Sequence, residues 1–335
     1  MSEFPHTQLP VSVLDLIPIT QGATIPEALH NSVDLAQTTE QLGYKRFWLA
    51  EHHNMPNIAS SATTVLMSHI ASNTSHIRVG SGGIMLPNHS PLIVAEQFGT
   101  LAHLYQGRID MGLGRAPGTD QVTAQAIRTD RMTAARHFPY EIEKIEKYFA
   151  ADNEGSQVRA YIAEGAEVPM YILGSSTDSA YLAAAKGLPY VFASHFAPAQ
   201  FMDAIEIYRK NFNASSGYLK EPYIIACVNV IAADTDAHAQ YLSTTLKQVF
   251  MSIITGNLRR MPPPVENMNE LWSVYHAEAA SKMLTYSFIG SKETVKTEVQ
   301  EFIKTTNINE LMAVSHIYSH EERLYSYKLL AEIMC

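Results

Sequence analysis

Residues 108–118 read RIDMGLGRAPG. An apolar run, Ile109 to Leu113, leads into a Gly-x-Gly pair at Gly112 and Gly114, and the residues after it decide the architecture. A doubly wound dinucleotide-binding sheet would need its third glycine where Pro117 stands. That fingerprint also belongs after the first strand, yet the first alternating run, 11–17, passes into Pro18-Ile19-Thr20-Gln21-Gly22. A second glycine cluster, Gly80-Ser81-Gly82, has Met85 at the third position, and the chain has no GxxxxGK[ST] loop.

Outward from this segment, short apolar runs alternate with longer helical patterns. Strands are expected over 11–17, 46–50, 77–80, 108–112, 170–173, 190–193, 223–232 and 311–317. Helices are expected over 24–42, 59–71, 92–104, 133–149, 178–186, 198–212, 235–254, 294–305 and 321–333. Most of the strand runs are rich in Val, Ile, Leu and Met, as parallel strands buried on both faces require. Eight strands, each followed by a helix, predict a (β/α)8 TIM barrel, an α/β fold, spanning 1–335 as one domain. The connection 114–133 is long, and an extended insert of about 256–290, with a triple proline at 262–264, separates strands seven and eight.

The chain has 335 residues, 46% hydrophobic and 17% charged, enough apolar material for one large core. A net charge of -9 and the absence of a basic run argue against a nucleic-acid partner. The first ten residues, MSEFPHTQLP, do not form a signal peptide, and no apolar run is long enough to span a bilayer. Cys227 and Cys335 make no CxxC pair. The expectation is a soluble cytoplasmic protein.

Barrels place their chemistry in the loops at the C-terminal ends of the strands. Those ends carry Glu51-His52-His53, Ser81-Gly82-Gly83 followed by His89, Gly114-Arg115, Gly174-Ser175-Ser176, Ser194-His195 and Ser315-His316. Gly174 to Ser179 opens a helix whose free N–H groups and hydroxyls suit an anion, with Arg115 on the neighbouring strand to pair with a phosphate. The plain alternative is that these serines and Asp178 only cap a helix and that Arg115 is a structural ion pair. Adjacent His52 and His53 point to opposite faces of a strand, the chain has neither HxH nor HExxH, and no metal site is expected. Gly82-Gly83 either relieves crowding or lets a flat ring approach the backbone. Met261, Trp272, Tyr275 and Met283 in the insert fit an apolar pocket or a packing or dimer role equally well.

Three stretches resemble the bacterial luciferase-like flavin monooxygenases: Phe47 to His53 (FWLAEHH), Val79 to Pro87 (VGSGGIMLP) and Gly107 to Asp120 (GRIDMGLGRAPGTD). Leu173 to Ser176 and Gly187 to Pro198 extend the resemblance over nearly the whole chain, closest to the single-chain branch of the family. The resemblance implies a (β/α)8 barrel using reduced FMN as co-substrate, delivered by a separate NAD(P)H:flavin reductase. It also implies O2 addition at C4a, a C4a-(hydro)peroxyflavin that oxidises a small organic substrate, and a homodimer. By position, His52 is the active-site histidine. Gly82 and Gly83 back the flavin ring, often through a cis peptide, while Arg115, Gly174, Ser175, Ser176 and Ser179 serve the phosphate. Gly114 stands where luciferase has its reactive thiol, so light emission does not carry over. A deazaflavin-dependent hydride-transfer enzyme, a non-catalytic flavin binder and a zinc hydrolase are the competing readings.

Overall fold

The structure is a computed structural model that describes residues 9–116, 118–128, 130–216 and 218–334. Pro117 and Cys335, singled out in the sequence, lie outside the described residues. The strands are β1 (Val11–Asp15), β2 (Arg46–Leu49), β3 (Arg78–Ser81), β4 (Ile84–Met85) and β5 (Ile109–Gly114), then β6 (Met170–Gly174), β7 (Tyr190–Phe192), β8 (Ile224–Ala233), β9 (Ser287–Ser291) and β10 (Glu310–Val314). Eight of them run parallel in the order β10-β1-β2-β3-β5-β6-β7-β8, and β8 pairs with β10 to close the ring. The fold is a (β/α)8 barrel.

Helices α1 (Ile25–Gln41), α2 (Thr63–Ser72), α3 (Pro91–Leu104), α4 (Gln121–Ile127), α5 (Arg131–Arg136) and α6 (Phe138–Phe149) cover the first half. The second half carries α7 (Thr177–Lys186), α8 (Phe201–Lys210), α9 (Asp236–Thr255), α10 (Val274–Met283), α11 (Lys292–Thr306) and α12 (His320–Met334). Among the described residues, none of these helices is long and apolar enough to cross a membrane. α1 begins where its sequence says it should: Thr24 and Glu27 cap each other's backbone, and proline sits in the first turn.

Several boundaries differ from the expected ones for local reasons. The helix expected over 133–149 is two, α5 and α6, broken at His137 just ahead of Pro139, which cannot supply the N–H that a continuous helix needs. The helix expected from 59 starts at Thr63, because Ser60 and Thr63 both donate their hydroxyls to the Ala50 carbonyl and hold the intervening chain against β2. The 256–290 insert contains α10 and leads into β9, which pairs with the upper half of β8 from Asn229 to Ala233. Its Met261 is buried, and its backbone bonds Ile19 and Gln21, clamping the loop after β1. Trp272 and Met283 pack against the cluster that includes Leu242, Leu246 and Phe250 of α9, whereas Tyr275 is exposed.

Inside the ring, side chains alternate inward along each strand. The floor is ionic. Arg46 reaches Asp110 at 2.7 Å and Glu310 at 2.8 Å, and its guanidinium also donates to the Tyr171 hydroxyl at 2.6 Å. Above it lies an apolar plug of Leu14, Trp48, Tyr171, Val191, Ile225 and Met312, with Ala50, Cys227 and Val314 beside them. Burying one such large side chain contributes roughly 1.5–3 kcal/mol. The plug stops short of the strand ends, and the space above it is the candidate site.

Candidate active site

A cavity of about 280 Å³ opens at the C-terminal mouth of the barrel. Its deep wall is apolar, formed by Leu14, Trp48, Leu173, Val191 and Met312, with Cys227 among them. Burial pushes the Cys227 thiol well above its ordinary range, so it acts here as a small apolar group. Polar groups enter from the strand ends: His52 after β2, Arg115 after β5, Ser175 and Ser176 after β6, and His195 after β7.

Arg115, Ser175 and Ser176 form the anion-binding pole. Ser176 is the N-cap of the ten-residue α7 but makes no side-chain cap, and among the described residues neither its hydroxyl nor that of Ser175 takes a protein partner. The Arg115 guanidinium, half exposed, lies 3.3 Å from Asp178, itself largely exposed. Such a solvated pair is worth little and leaves the cation available. The Thr177 amide donates to Gln200 Oε1 at 3.1 Å, which occupies one N–H of the helix end. Gly174 and Ser179 also line the cavity. The Ser179 hydroxyl is already engaged, donating to the Ser176 carbonyl at 2.7 Å and lying 3.0 Å from the Tyr190 hydroxyl, so it supports the pole from behind. A Cβ on Gly174 would collide with that hydroxyl.

The Gly82–Gly83 peptide is cis, the geometry that the resemblance implies. Gly82 faces the cavity, and a Cβ there would run into Leu14 Cδ1. Gly83 is packed against protein: a Cβ would meet the Gly112 carbonyl oxygen at 2.8 Å and Leu173 Cδ2 at 3.0 Å. Gly83 is therefore dictated by close packing against the barrel's own backbone, whereas at Gly82 the Leu14 side chain would have to move and the bare backbone leaves the cavity wall flat.

His52 lies between two anchors. Its amide donates to the Ser60 carbonyl at 2.9 Å, and its Nδ1 lies 3.3 Å from the Gly118 carbonyl. A carbonyl only accepts, so that contact sets the Nδ1–H tautomer and leaves Nε2 as the basic nitrogen. Burial pushes the imidazole below its ordinary range, against the opposing pull of the Gly118 contact and of Glu51. His195 is more extreme: burial, with His316 and His52 adding to it, pushes it down to about 3.

The other rim histidines do not enter the cavity. His53 and His89 turn to Glu51, whose buried carboxylate accepts from their Nε2 atoms at 3.0 and 2.9 Å, from Asn88 at 3.0 Å and from the Met85 amide at 2.9 Å. His320 pairs with Asp34 at 2.8 Å. Among the described residues, no group of three or more His, Cys, Asp or Glu side chains is arranged to hold a metal ion. The Glu51 anchor was not read from the sequence; a carboxylate directly before two histidines, with a third histidine in the next loop, was the available signal.

The arrangement suits a flat apolar ring with an anionic tail. The Leu14, Trp48 and Leu173 side of the wall takes the ring, Arg115 with two unengaged hydroxyls takes the tail, and an uncharged imidazole stands at the side, so the residues present fit an FMN. Among relatives, a Bacillus subtilis protein, YvbT, is 48% identical over 324 residues, 96% of each chain. A luciferase-like monooxygenase of Escherichia coli K12 is 44% identical over 322 residues, again 96% of each. The solved structure of apo-MsnO8 is 33% identical and superposes with a TM-score of 0.86 over 97% of this chain and 98% of that one. Two barrels of similar fold are only 15% and 14% identical and cover 97–98% of either chain. They are the oxygenating constituent of 3,6-diketocamphane monooxygenase in complex with FMN (TM-score 0.73) and an F420-dependent secondary alcohol dehydrogenase (TM-score 0.71). The model of the luciferase-like monooxygenase family matches residues 9–307. The chain belongs to the luciferase-like monooxygenase family, and is an oxidoreductase of that kind.

Proposed function

We propose that the protein is an FMN-dependent monooxygenase that takes reduced FMN and O2 and oxidises a small organic molecule. The observation that carries this reading is the division of one cavity into an apolar wall and a single anion pole made by Arg115, Ser175 and Ser176. When bound, reduced FMN supplies two electrons to O2, so that one oxygen atom goes to the substrate and the other leaves as water. Arg115 and the two serines fix the phosphate, and the α7 N-terminus favours its charge. Leu14, Trp48 and Leu173 hold the ring against the barrel and exclude water from one side. His52, fixed as the Nδ1–H tautomer, holds a basic Nε2 at the mouth and accepts or returns a proton as oxygen is reduced.

In this reading the chain acts as one barrel domain in the cytoplasm, and a separate NAD(P)H:flavin reductase supplies the reduced flavin. It works as a homodimer, for which Val65 of α2 and Leu104 of α3, both largely exposed beside one groove, offer one apolar surface. Light scattering coupled to gel filtration measures that mass directly. The deciding experiment is an anaerobic titration with reduced FMN and, in parallel, reduced deazaflavin, followed by mixing with O2. Saturable binding of reduced FMN with oxygen consumption supports the proposal. Binding of the deazaflavin alone, with no oxygen consumed, overturns it in favour of hydride transfer.

A further inference from the structure

His195 follows β7 at the inner position that Val191 and Ala193 occupy below it, and it lines the cavity. Its residue surface is 8% exposed, and its Nδ1 is wholly buried without a hydrogen-bond partner. The residue is held firmly: Asn229 Nδ2 donates to its carbonyl at 2.6 Å, and the Phe196 ring meets the imidazole edge-on, 5.0 Å between centroids. Since that carbonyl needs a donor, the Asn229 amide orientation is fixed and its Oδ1 points elsewhere, also buried and unpartnered. His316, after β10, has an unpartnered Nδ1 as well. With Ser315 Oγ, which follows β10 directly, four of the seven such atoms among the described residues belong to the β7–β8–β10 arc of the mouth. A wholly buried Nδ1 offers a ligand no surface; His195 Nε2 is not among these buried atoms and takes no protein partner among the described residues, so it is the ring nitrogen that meets the cavity.

Building on the monooxygenase reading, we propose that His195, through Nε2, binds the hydrogen-bonding oxygen of a neutral, otherwise apolar substrate on this arc of the cavity, apart from the anion pole. The apolar remainder of the molecule meets Phe196, Val191, Cys227 and Met312. An anionic head group is disfavoured there. Among the described residues the arc offers it no free cation: Arg323, the cation that bears on His316, is committed to Asp15 at 2.7 Å and to the Ser315 carbonyl. A proton taken up by His195 would be opposed by burial and by His316 and His52 beside it. His195 is thus a substrate-binding group of fixed neutrality, distinct in role from His52.

The test uses 1-hexanol and hexanoate as probes of equal chain length and opposite charge state. Long-range 1H–15N imidazole spectra are recorded at neutral pH with and without FMN, the His195 signals being those absent from His195→Asn. The expected result is that 1-hexanol moves the His195 signals saturably while hexanoate at the same concentration does not. His195→Asn should weaken 1-hexanol binding about tenfold by calorimetry and leave FMN affinity unchanged. Movement of the His195 signals by hexanoate at equal or lower concentration, movement by neither probe, or unchanged 1-hexanol affinity in the variant each overturns the proposal. If His195→Asn fails to fold, His195→Gln takes its place. The imidazole readout does not require flavin, so failure of the protein to bind FMN would count against the monooxygenase reading alone.

Discussion

Glu51, His52 and His53 are consecutive in the chain and turn in different directions. The Glu51 carboxylate, fully buried, gathers donors from His53, His89, Asn88 and the Met85 amide, and thereby ties the end of β2 to the loop that follows the cis glycine pair. Burial works to raise its pKa, but the hydrogen bonds prevail and hold it at about 2 against an ordinary 4.5. Its stabilising contribution is therefore full above about pH 4.5 and lost as pH falls towards 2. Glu51→Gln replaces an acceptor with an NH2 group facing at least one of these donors. Denaturant titration at pH 7 should show a loss of about 1–3 kcal/mol. Arg115→Ala removes the only Lys or Arg of the cavity wall among the described residues, and the affinity for reduced FMN should fall tenfold or more, as expected when a charge-assisted contact is lost. His52→Ala should keep that affinity and lower turnover; loss of FMN binding would make His52 a structural residue instead.

At the scale of elements, the barrel was legible because its strands are short apolar runs with turn residues at both ends, as in Arg46–Leu49 and Met170–Gly174. β9 was not. Ser287–Ser291 reads SFIGS, and it becomes a strand only because β8 runs past the barrel and offers Asn229 to Ala233 as an edge to pair with. The α5–α6 break was available in Pro139, but helical periodicity on both sides concealed it. For the site, the sequence named the rim residues by type and strand end, which brought His52, Arg115 and the serines together. Side-chain direction was hidden. Nothing in the residue types says that His53 and His89 face a carboxylate while His195 faces a cavity. The insert illustrates the same limit: Met261 is a clamp on the β1 loop, with backbone bonds of 2.9 and 2.8 Å to Ile19 and Gln21, and does not line the cavity. Met261→Ala leaves those bonds but empties a buried site. It should cost about 2–4 kcal/mol on denaturation, with hydrogen exchange quickened at the Gln21 amide.

The whole molecule carries an acid-sensitive interior. Burial pushes His195 down to about 3 and His316 to about 4, and it lowers His52 as well. All three fall below the ordinary 6.5, so the unfolded chain takes up protons first as pH drops. Their effect on stability is nil well above pH 6.5 and grows unfavourable from there towards 4 and 3. For each histidine that only the unfolded chain protonates, denaturation curves should steepen below pH 7 and approach a loss of roughly 1.4 kcal/mol per pH unit near pH 5. His316→Asn should flatten that slope. A slope that is flat down to pH 5 in the unaltered protein would contradict the neutral-imidazole interior.

The ionic floor has a consequence for traffic. Arg46, Asp110 and Glu310 pair across the N-terminal end of the barrel, and among the described residues the aromatic and aliphatic plug fills the ring above them. The cavity opens at the C-terminal mouth, and a molecule that enters there last should leave first. A molecule seated deepest cannot exchange while another stands in front of it, so reactants queue in a fixed sequence, and inhibition by the departing product should reveal which of them enters first.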